Sequence, residues 1–354
     1  MLYTNGELYE GRWKYHKRHG KGRHVYLDFT VYDGIWEDDE RHGNGRMTHP
    51  DNSYINGEFR NDKMVGGTKY VDANKNVYEP TSSGAGGRFE NGRLYGQGKI
   101  NFVNGDVYEG LFKDGKRCGQ GKMQYKSVKR YQDFDDNLST STGKDQDFDW
   151  ATYDGNWNDN CKHGQGTMKW SDDSAYKGQW KKDERYYGTM FMVTGAEYTG
   201  YWKNDKFHGK GSLKSDDDVI YEGEFVNGFR QKFGKVIYAD KTEYTGELED
   251  MSRQGTGKLV ENANVYEGQF DDNRKNGKGK LYYSNGDYYN GEWVDDRREG
   301  QGTMYFNNTK EVYEGEWQGD ARSGFGKLMM PNGQVIECQW RNNRAQGEGK
   351  LTEV

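Results

Sequence analysis

The sequence predicts an all-β protein made of antiparallel hairpins stacked in a single layer. Three observations carry this prediction: a unit of about 23 residues recurs along the chain, aromatic residues and glycines alternate within each unit, and aliphatic residues are scarce. Only 32% of the 354 residues are hydrophobic, whereas 15% are aromatic and 51 are glycine. Ordinary globular chains are much more apolar, and disordered chains are poor in aromatic residues. The composition therefore indicates an ordered chain that buries rings without a thick core.

The first half of each unit carries the signature Tyr-x-Gly-x-Trp/Phe. Side chains alternate between the two faces of a strand, so the Tyr, Gly and Trp of one signature share a face and the intervening polar residues share the other. About fourteen copies are expected over residues 1–354, because weaker copies end at Phe59, Phe89, Leu248 and Trp340. The full signature occurs at Tyr9–Trp13, Tyr32–Trp36, Tyr108–Phe112, Tyr153–Trp157, Tyr176–Trp180, Tyr198–Trp202, Tyr221–Phe225, Tyr266–Phe270, Tyr289–Trp293 and Tyr313–Trp317.

The second half of most units carries Gly-x-Gly, as in Gly20 and Gly22, and predicts a second strand. A glycine in a strand leaves room that any Cβ atom would fill. We therefore expect the rings of one hairpin to fill the gaps left by the glycines of its neighbour. Because one hairpin alone is marginally stable, the stacking of nearest neighbours must stabilise the whole array.

Turn signals separate the second strand of one copy from the first strand of the next. Asn-Gly pairs stand there at Asn104-Gly105, Asn285-Gly286 and Asn332-Gly333. This dipeptide supplies the positive φ angles that a two-residue hairpin turn requires. The sequence thus predicts two-residue turns between successive copies.

Two insertions interrupt the period. Residues 78–86, around Pro80, are expected to form a short surface loop. Residues 126–151 form either a longer loop or a decayed repeat, and the absence of both glycine signatures favours a loop. This segment twice places an aromatic residue among carboxylates, so it could dock on a basic partner or remain a solvated loop. Its candidate partner-binding residues are Phe134, Asp135, Phe148 and Trp150.

The pattern of Tyr9–Trp13 followed by His19 to Gly22 resembles the MORN (membrane occupation and recognition nexus) repeat family over essentially the whole chain. The resemblance implies an elongated single-layer β-solenoid that assembles scaffolds at membranes and cytoskeletal structures, with no activity of its own. It also implies that the signature rings line a groove for a partner helix, although their first role is to hold hairpins together. The candidates for partner contact are Tyr9, Trp13, Tyr32, Trp36, Tyr289, Trp293, Tyr313, Trp317 and Trp340.

The sequence offers no motif for catalysis, so we expect no catalytic residues, cofactor or metal site. No Gly-Lys pair precedes Ser or Thr as in a phosphate-binding loop, and no His-Glu-x-x-His occurs. Asp216 to Asp218 do not match the spacing of a calcium loop. Four histidines that could suggest a metal precede a glycine and are expected to be turn residues: His19, His42, His163 and His208.

Charge and hydropathy bear on the compartment and the partners. The formal charge of −6 argues against a nucleic-acid partner. No apolar stretch is long enough to span a bilayer, and the N-terminal residues lack a secretory signal pattern. The three cysteines do not have the spacing of a disulfide framework. We therefore expect a cytoplasmic protein associated with the cytoskeleton.

The leading functional hypothesis is a non-enzymatic scaffold or adaptor in a cytoskeletal assembly. Among such assemblies we favour a complex of the ciliary or flagellar axoneme, such as a radial spoke. Proteins of that structure resemble this chain in being rich in repeats. The alternatives are a membrane-associated tether that binds phospholipids and a regulatory subunit that positions a kinase or phosphatase. Unpaired strand edges at the ends of an open array also predict a possible homo-oligomer.

Overall fold

The computed structural model describes residues 1–81, 86–90, 92–128 and 148–353, and these residues contain 29 strands. Within these ranges there is no helix, so the predicted all-β fold of antiparallel hairpins is confirmed. The described residues divide into two compact units. The first holds those up to Val193 together with Trp202–Asp205, and the second holds Thr194–Tyr201 and those from Lys206 onwards.

The strands of the first unit are β1 (Leu8–Lys14), β2 (Lys17–Val25), β3 (Val31–Glu37), β4 (Glu40–Thr48), β5 (Tyr54–Arg60), β6 (Lys63–Val71), β7 (Val77–Pro80), β8 (Arg88–Glu90), β9 (Arg93–Asn101), β10 (Val107–Lys113), β11 (Lys116–Tyr125), β12 (Ala151–Asn158), β13 (Cys161–Trp170), β14 (Ala175–Lys181) and β15 (Glu184–Phe191). The next strand, β16 (Glu197–Lys203), contributes residues to both units.

The strands of the second unit are β17 (Lys206–Lys214), β18 (Ile220–Val226), β19 (Phe229–Ile237), β20 (Glu243–Glu249), β21 (Ser252–Glu261), β22 (Asn264–Asp271), β23 (Arg274–Tyr282), β24 (Tyr288–Val294), β25 (Arg297–Phe306), β26 (Glu311–Gln318), β27 (Ala321–Met329), β28 (Gln334–Arg341) and β29 (Arg344–Glu353).

The register aligns the signature glycines of successive strands. In the second unit Gly279 faces Gly291, Gly291 faces Gly302, and Gly302 faces Gly315. The first unit repeats this register, with Gly22 between Gly11 and Gly34. Each unit therefore carries a row of glycines across its strands, which leaves a continuous space on one face.

Two kinds of turn alternate along each unit. Inside a repeat, a two-residue turn joins the signature strand to the Gly-x-Gly strand, and both turn residues have positive φ, as at Asp38 (50°) and Asp39 (77°). This conformation matches the twist of the flanking strands and favours Asn, Asp and Gly. The sequence reasoning missed these turns because their dipeptides vary from repeat to repeat, as in Asp38-Asp39, Asp159-Asn160 and Lys182-Asp183.

The turns between repeats are longer than predicted. The Gly105 N–H donates to the carbonyl of Phe102 (3.0 Å), and the Phe102 N–H donates to the carbonyl of Asp106 (2.9 Å), so three residues form the loop. Gly105 has a φ of 91°, but Asn104 is not in the left-handed region, because its side-chain oxygen accepts a hydrogen bond from the Asp106 N–H (3.1 Å). The prediction of two-residue turns at the Asn-Gly pairs is therefore wrong, and a type I turn followed by a left-handed glycine takes their place.

The first glycine of most Gly-x-Gly pairs lies at a β-bulge. Gly20 has a φ of 77°, and the register shifts by two residues between Gly11 and Trp13 opposite it. Glycine is favoured in this bulge because L side chains rarely adopt the required φ. The four histidines expected in turns lie inside strands, directly before a left-handed glycine: His19, His42, His163 and His208.

The first insertion lies inside a signature strand. Tyr78 and Pro80 of β7 face Ile100 and Gly98 of β9, and Phe89 of β8 faces another residue of the same strand. β7 and β8 together therefore replace one signature strand. The sequence had placed these residues ahead of the strand, because Gly87 and Phe89 alone match the signature.

The second insertion leaves the pairing of its flanking strands intact. β11 pairs directly with β12, with Tyr125 facing Ala151, so no strand lies between them. Val128 and Phe148 form an isolated bridge at the base of the segment. Phe134 and Asp135 lie outside the described residues.

Candidate functional site

The tyrosine of each signature lies over two glycines of its own hairpin. Tyr289 is fully buried. A Cβ atom added to Gly291 would lie 2.6 Å from its Cζ atom, and one added to Gly302 would lie 2.5 Å from the same atom. The Tyr289 hydroxyl donates to the carbonyl of Glu292 (3.1 Å). The ring that fills the glycine gap thus belongs to the same hairpin, not to a neighbouring one as predicted, because this hydrogen bond holds it along its own strand.

The tryptophan of each signature connects its repeat to the preceding one. The ring of Trp317 packs edge-on against Tyr289 of the preceding repeat (5.3 Å, 81°) and against Tyr313 of its own (5.3 Å, 90°). Its Nε1–H donates to the carbonyl of Gly302 (3.1 Å). Aromatic pairs favour such edge-to-face geometry. We call the face that carries these rings the aromatic face.

A basic side chain covers the outer side of most of these tryptophans. The Arg298 guanidinium lies 4.5 Å from the Trp317 ring and donates to the Asp320 carboxylate (3.0 Å) and to the Asp320 carbonyl (2.9 Å). Cation–π contact and hydrogen bonds thus join the ring to the two-residue turn of the next hairpin. Equivalent contacts to the ring are made by Arg18, Arg41, Arg117, Lys162, Arg185, Arg253, Lys275 and Arg322.

The sequence reasoning missed this clamp, although a signal was present. A Lys or Arg stands two residues before the first glycine of most Gly-x-Gly pairs, as Arg298 does before Gly300. An Asp or Asn follows at the second position of the next two-residue turn, as at Asp320. The connection between them depends on the register of the bulge, which the spacing alone does not reveal.

Burial keeps the signature tyrosines neutral. Loss of solvent raises the pKa of Tyr32, Tyr244 and Tyr313 to about 12, and the nearby arginines oppose this rise. The effect follows from the cost of placing a phenolate where water is excluded. The aromatic face is therefore a dry, uncharged layer covered by basic side chains.

Most of the rings expected to line a partner groove are buried in this layer. Trp13 differs, with 42% of its surface exposed, because it lies on β1, the first described strand, and no tyrosine or arginine of an adjacent described repeat covers it. The buried rings hold repeats together and do not line an open groove. They are Tyr9, Tyr32, Trp36, Tyr289, Trp293, Tyr313, Trp317 and Trp340, each at most 7% exposed.

The described part of the second insertion is partly accessible. Trp150 is 47% exposed. Phe148 pairs with Val128 through the backbone, and its ring lies 5.9 Å from that of Trp170. These contacts place the base of the insertion beside the turn that follows β13.

The other face of the strands carries a ladder of alternating charges, as predicted from the alternation. Glu267 faces Lys258 on one side and Lys280 on the other, and the Lys258 Nζ lies 2.9 Å from the Glu267 carboxylate. Lys327 and Glu337 form an equivalent ion pair at 2.9 Å. We call this the opposite face.

A second row runs beside the charged ladder on the opposite face of the second unit. It runs from β21 to β28 and is formed by the residues that directly precede the first signature position and by their partners in the Gly-x-Gly strands. At the same positions of β17 and β20 the second unit has the charged residues Lys214 and Glu243. We call it the tyrosine row, and it consists of Val260, Val265, Tyr282, Tyr288, Tyr305, Val312, Met329 and Val335, each facing the next.

The described ranges hold no cluster of three or more His, Cys, Asp or Glu side chains that could bind a metal ion. In the same ranges, no helix with the length and apolar character of a membrane span occurs.

A family model for the MORN repeat matches the chain in eleven stretches. Together they cover well over half of its length. They are residues 9–30, 32–54, 87–107, 108–127, 153–175, 198–218, 221–243, 266–288, 289–309, 313–335 and 339–352. No curated protein matches the chain.

Among solved structures, the chain is similar to two TCP domains. The TCP domain of SAS-4 (dCPAP) from Drosophila melanogaster, solved in complex with a proline-rich motif of Ana2 (dSTIL), is 12% identical, with 41% of this chain and 84% of that one aligned at a TM-score of 0.27. The TCP10 domain of Danio rerio CPAP, solved with a STIL peptide, is 8% identical, with 94% of this chain and 98% of that one aligned at a TM-score of 0.19.

Proposed function

Because the chain belongs to the MORN-repeat family, we propose that it is a non-enzymatic scaffold that holds other proteins in a cytoskeletal assembly. MORN repeats indicate a scaffold that binds proteins or associates with membranes. The observation that supports the protein-binding role is the difference between the two faces. The aromatic face is used in packing between repeats, whereas the opposite face presents side chains such as Tyr282, 40% exposed, at a regular spacing.

Within the cytoskeleton, we propose a complex of the ciliary or flagellar axoneme, such as a radial spoke or a neighbouring structure. The support for this narrower assignment is the long run of repeats in the sequence. Sedimentation of axonemes after detergent extraction tests it. We expect a tagged chain to remain with the axonemes, and its complete release into the detergent supernatant would contradict the assignment.

The membrane-tether alternative requires a basic surface. Lys181 and Lys182 lie together at the turn between β14 and β15, but Asp183 and Glu184 follow directly and offset their charge. Juxtaposed Lys and Arg residues attract anionic lipid, and nearby carboxylates weaken that attraction. Flotation with anionic liposomes should therefore leave the chain in the dense fraction, and salt-sensitive flotation would favour the tether.

The third alternative is a regulatory subunit that positions an enzyme. Affinity purification from a ciliated cell distinguishes it from the scaffold. A scaffold should recover several structural proteins in comparable amounts, whereas a regulatory subunit should recover one kinase or phosphatase in excess of all others.

A further inference from the structure

The tyrosine row is an unbroken line of apolar and aromatic side chains across eight strands, β21 to β28. Its centre is a set of three tyrosines. Tyr288 stacks on Tyr305 (5.3 Å, 22°) and lies 6.2 Å from Tyr282. The Lys280 Nζ lies 4.4 Å from the Tyr288 ring and 4.6 Å from the Tyr282 ring. Rings held in this way offer a large contact area with little rotamer entropy to lose on binding.

The repeat fold does not require this row to be apolar. The equivalent positions of the first unit are interrupted by polar residues, namely Thr48, Asn101 and Gln124. Both units nevertheless form the same hairpins in the same register. The apolar character of the row from β21 to β28 is thus not explained by the repeat fold, and a continuous line of partly exposed apolar side chains marks an interaction surface.

The spacing of the row matches a helix better than an extended peptide. Neighbouring strands lie about 4.8 Å apart, so the row presents one side chain about every 4.8 Å. A helix rises about 5.4 Å per turn, whereas same-face residues of a strand recur about every 6.8 Å and those of a polyproline helix about every 9.3 Å. The row spans about 34 Å across its eight strands, which is about six helical turns.

The net charge of the second unit favours a partner that is positively charged. Residues 206–354 contain 26 Asp and Glu against 21 Lys and Arg, a net charge of −5, whereas residues 1–205 contain 31 against 30. On the opposite face, the exposed carboxylates of Glu247 on β20, Glu292 and Glu316 lie four residues along their strands, and Lys278 faces Glu292 among them. That is about 13 Å from the row, which is close to the diameter of a helix with its side chains.

We propose that the tyrosine row binds an amphipathic helix of a partner protein whose apolar stripe is flanked by Lys and Arg. The apolar side chains of the helix, at positions i, i+3, i+4 and i+7, contact the row. Its basic side chains approach the carboxylates of Glu247, Glu292 and Glu316. This inference rests on the scaffold function proposed above and identifies the class of partner that the scaffold holds.

A peptide probe tests the proposal with the full-length chain. The probe is a synthetic helix of Leu and Lys with a single apolar stripe, and a second peptide has Glu in place of every Lys. Fluorescence anisotropy should show binding of the basic peptide that weakens with salt, and at least tenfold weaker binding of the acidic peptide. A photo-reactive group in the apolar stripe should form cross-links to β22–β26, located by mass spectrometry.

Matched variants locate the contact. Tyr288→Ser should weaken binding of the basic peptide at least tenfold. Tyr54→Ser is the control in the first unit, because Tyr54 occupies the equivalent position and Arg46 lies 4.2 Å over its ring as Lys280 does over Tyr288. The control should bind as the unaltered chain does, and circular dichroism should give the same thermal midpoint for both variants.

Several results would overturn the proposal. These are equal binding of both peptides, an equal loss in the two variants, or cross-links outside the second unit. Flotation with anionic vesicles that is abolished by Tyr288→Ser would assign the row to lipid, and a loss of self-association in that variant would assign it to a second copy. Failure of the peptide test with continued retention on axonemes would reject the helix and leave the scaffold function standing.

Discussion

The two faces of the same strands differ in what determines their residues. On the aromatic face Tyr289 and Trp317 are at most 4% exposed, and each contacts rings, glycines and carbonyls of its own or the adjacent repeat. On the opposite face Tyr282 is 40% exposed. The residues that define the repeat signature are therefore the structural ones, and the side chains available to a partner lie between them. Changes on the two faces should have different consequences.

The largest effect should come from ionising the aromatic face at high pH. Burial raises the pKa of Tyr313 to about 12, above the value of about 10 expected in an unfolded chain. The stabilisation by the neutral phenol is then complete below about pH 10 and is lost as the pH rises through about 12. Since several signature tyrosines share this shift, the chain should unfold cooperatively in that window. Tyrosinate absorbance and the strand signal in circular dichroism should change together, and ionisation without loss of strands would contradict the account.

The next largest effect should come from removing a ring that connects repeats. Trp317→Ala should lower the free energy of unfolding by about 4 kcal/mol, because it removes a buried ring and leaves a cavity. Trp13→Ala is the matched control and should cost well under half of that, since Trp13 is 42% exposed. Urea denaturation followed by tryptophan fluorescence measures both. Equal losses would mean that contact with the preceding repeat does not determine the stability.

A smaller effect should come from the basic clamp. Arg298→Ala should cost about 1 to 2 kcal/mol, because it removes a cation–π contact and the hydrogen bonds to Asp320. The stability of Arg298→Lys should lie between that of the alanine variant and that of the unaltered chain, because lysine keeps the charge and lacks the planar guanidinium group. The thermal midpoints of the three proteins should follow that order. A lysine variant as unstable as the alanine variant would show that the geometry of the guanidinium group, and not its charge, provides the stabilisation.

The smallest effect on stability should come from the opposite face. Tyr288→Ser should change the free energy of unfolding by less than about 1 kcal/mol, because the side chain is only partly buried and its removal leaves no enclosed cavity. Comparison of its urea midpoint with that of Trp317→Ala separates the two faces directly. A loss similar to that of the tryptophan variant would show that the tyrosine row is part of the core.

The alternation of residues was enough to predict the strands, the two faces and the repeat. It was not enough to predict which ring covers which glycine, because Tyr289 covers Gly302 only in the register that the bulge at Gly300 creates. The loops at the Asn-Gly pairs differed from prediction for a local reason, the hydrogen bond from Asp106 to the Asn104 side chain. The signature rings were predicted to contact a partner because they are the most prominent feature of the sequence, and the structure shows most of them buried between repeats. The tyrosine row becomes apparent only after strands from several repeats are aligned.

The central claim is that signature glycines are required because a tyrosine ring occupies the space of their missing side chains. The most direct test is the thermal midpoint of Gly302→Ala compared with that of Gly66→Ala. A Cβ atom on Gly302 would lie 2.5 Å from the Tyr289 ring, whereas one on Gly66 would have no atom within 4 Å. We expect Gly302→Ala to melt many degrees below the unaltered chain and Gly66→Ala to melt within a few degrees of it. Equal midpoints for the two variants would contradict the claim.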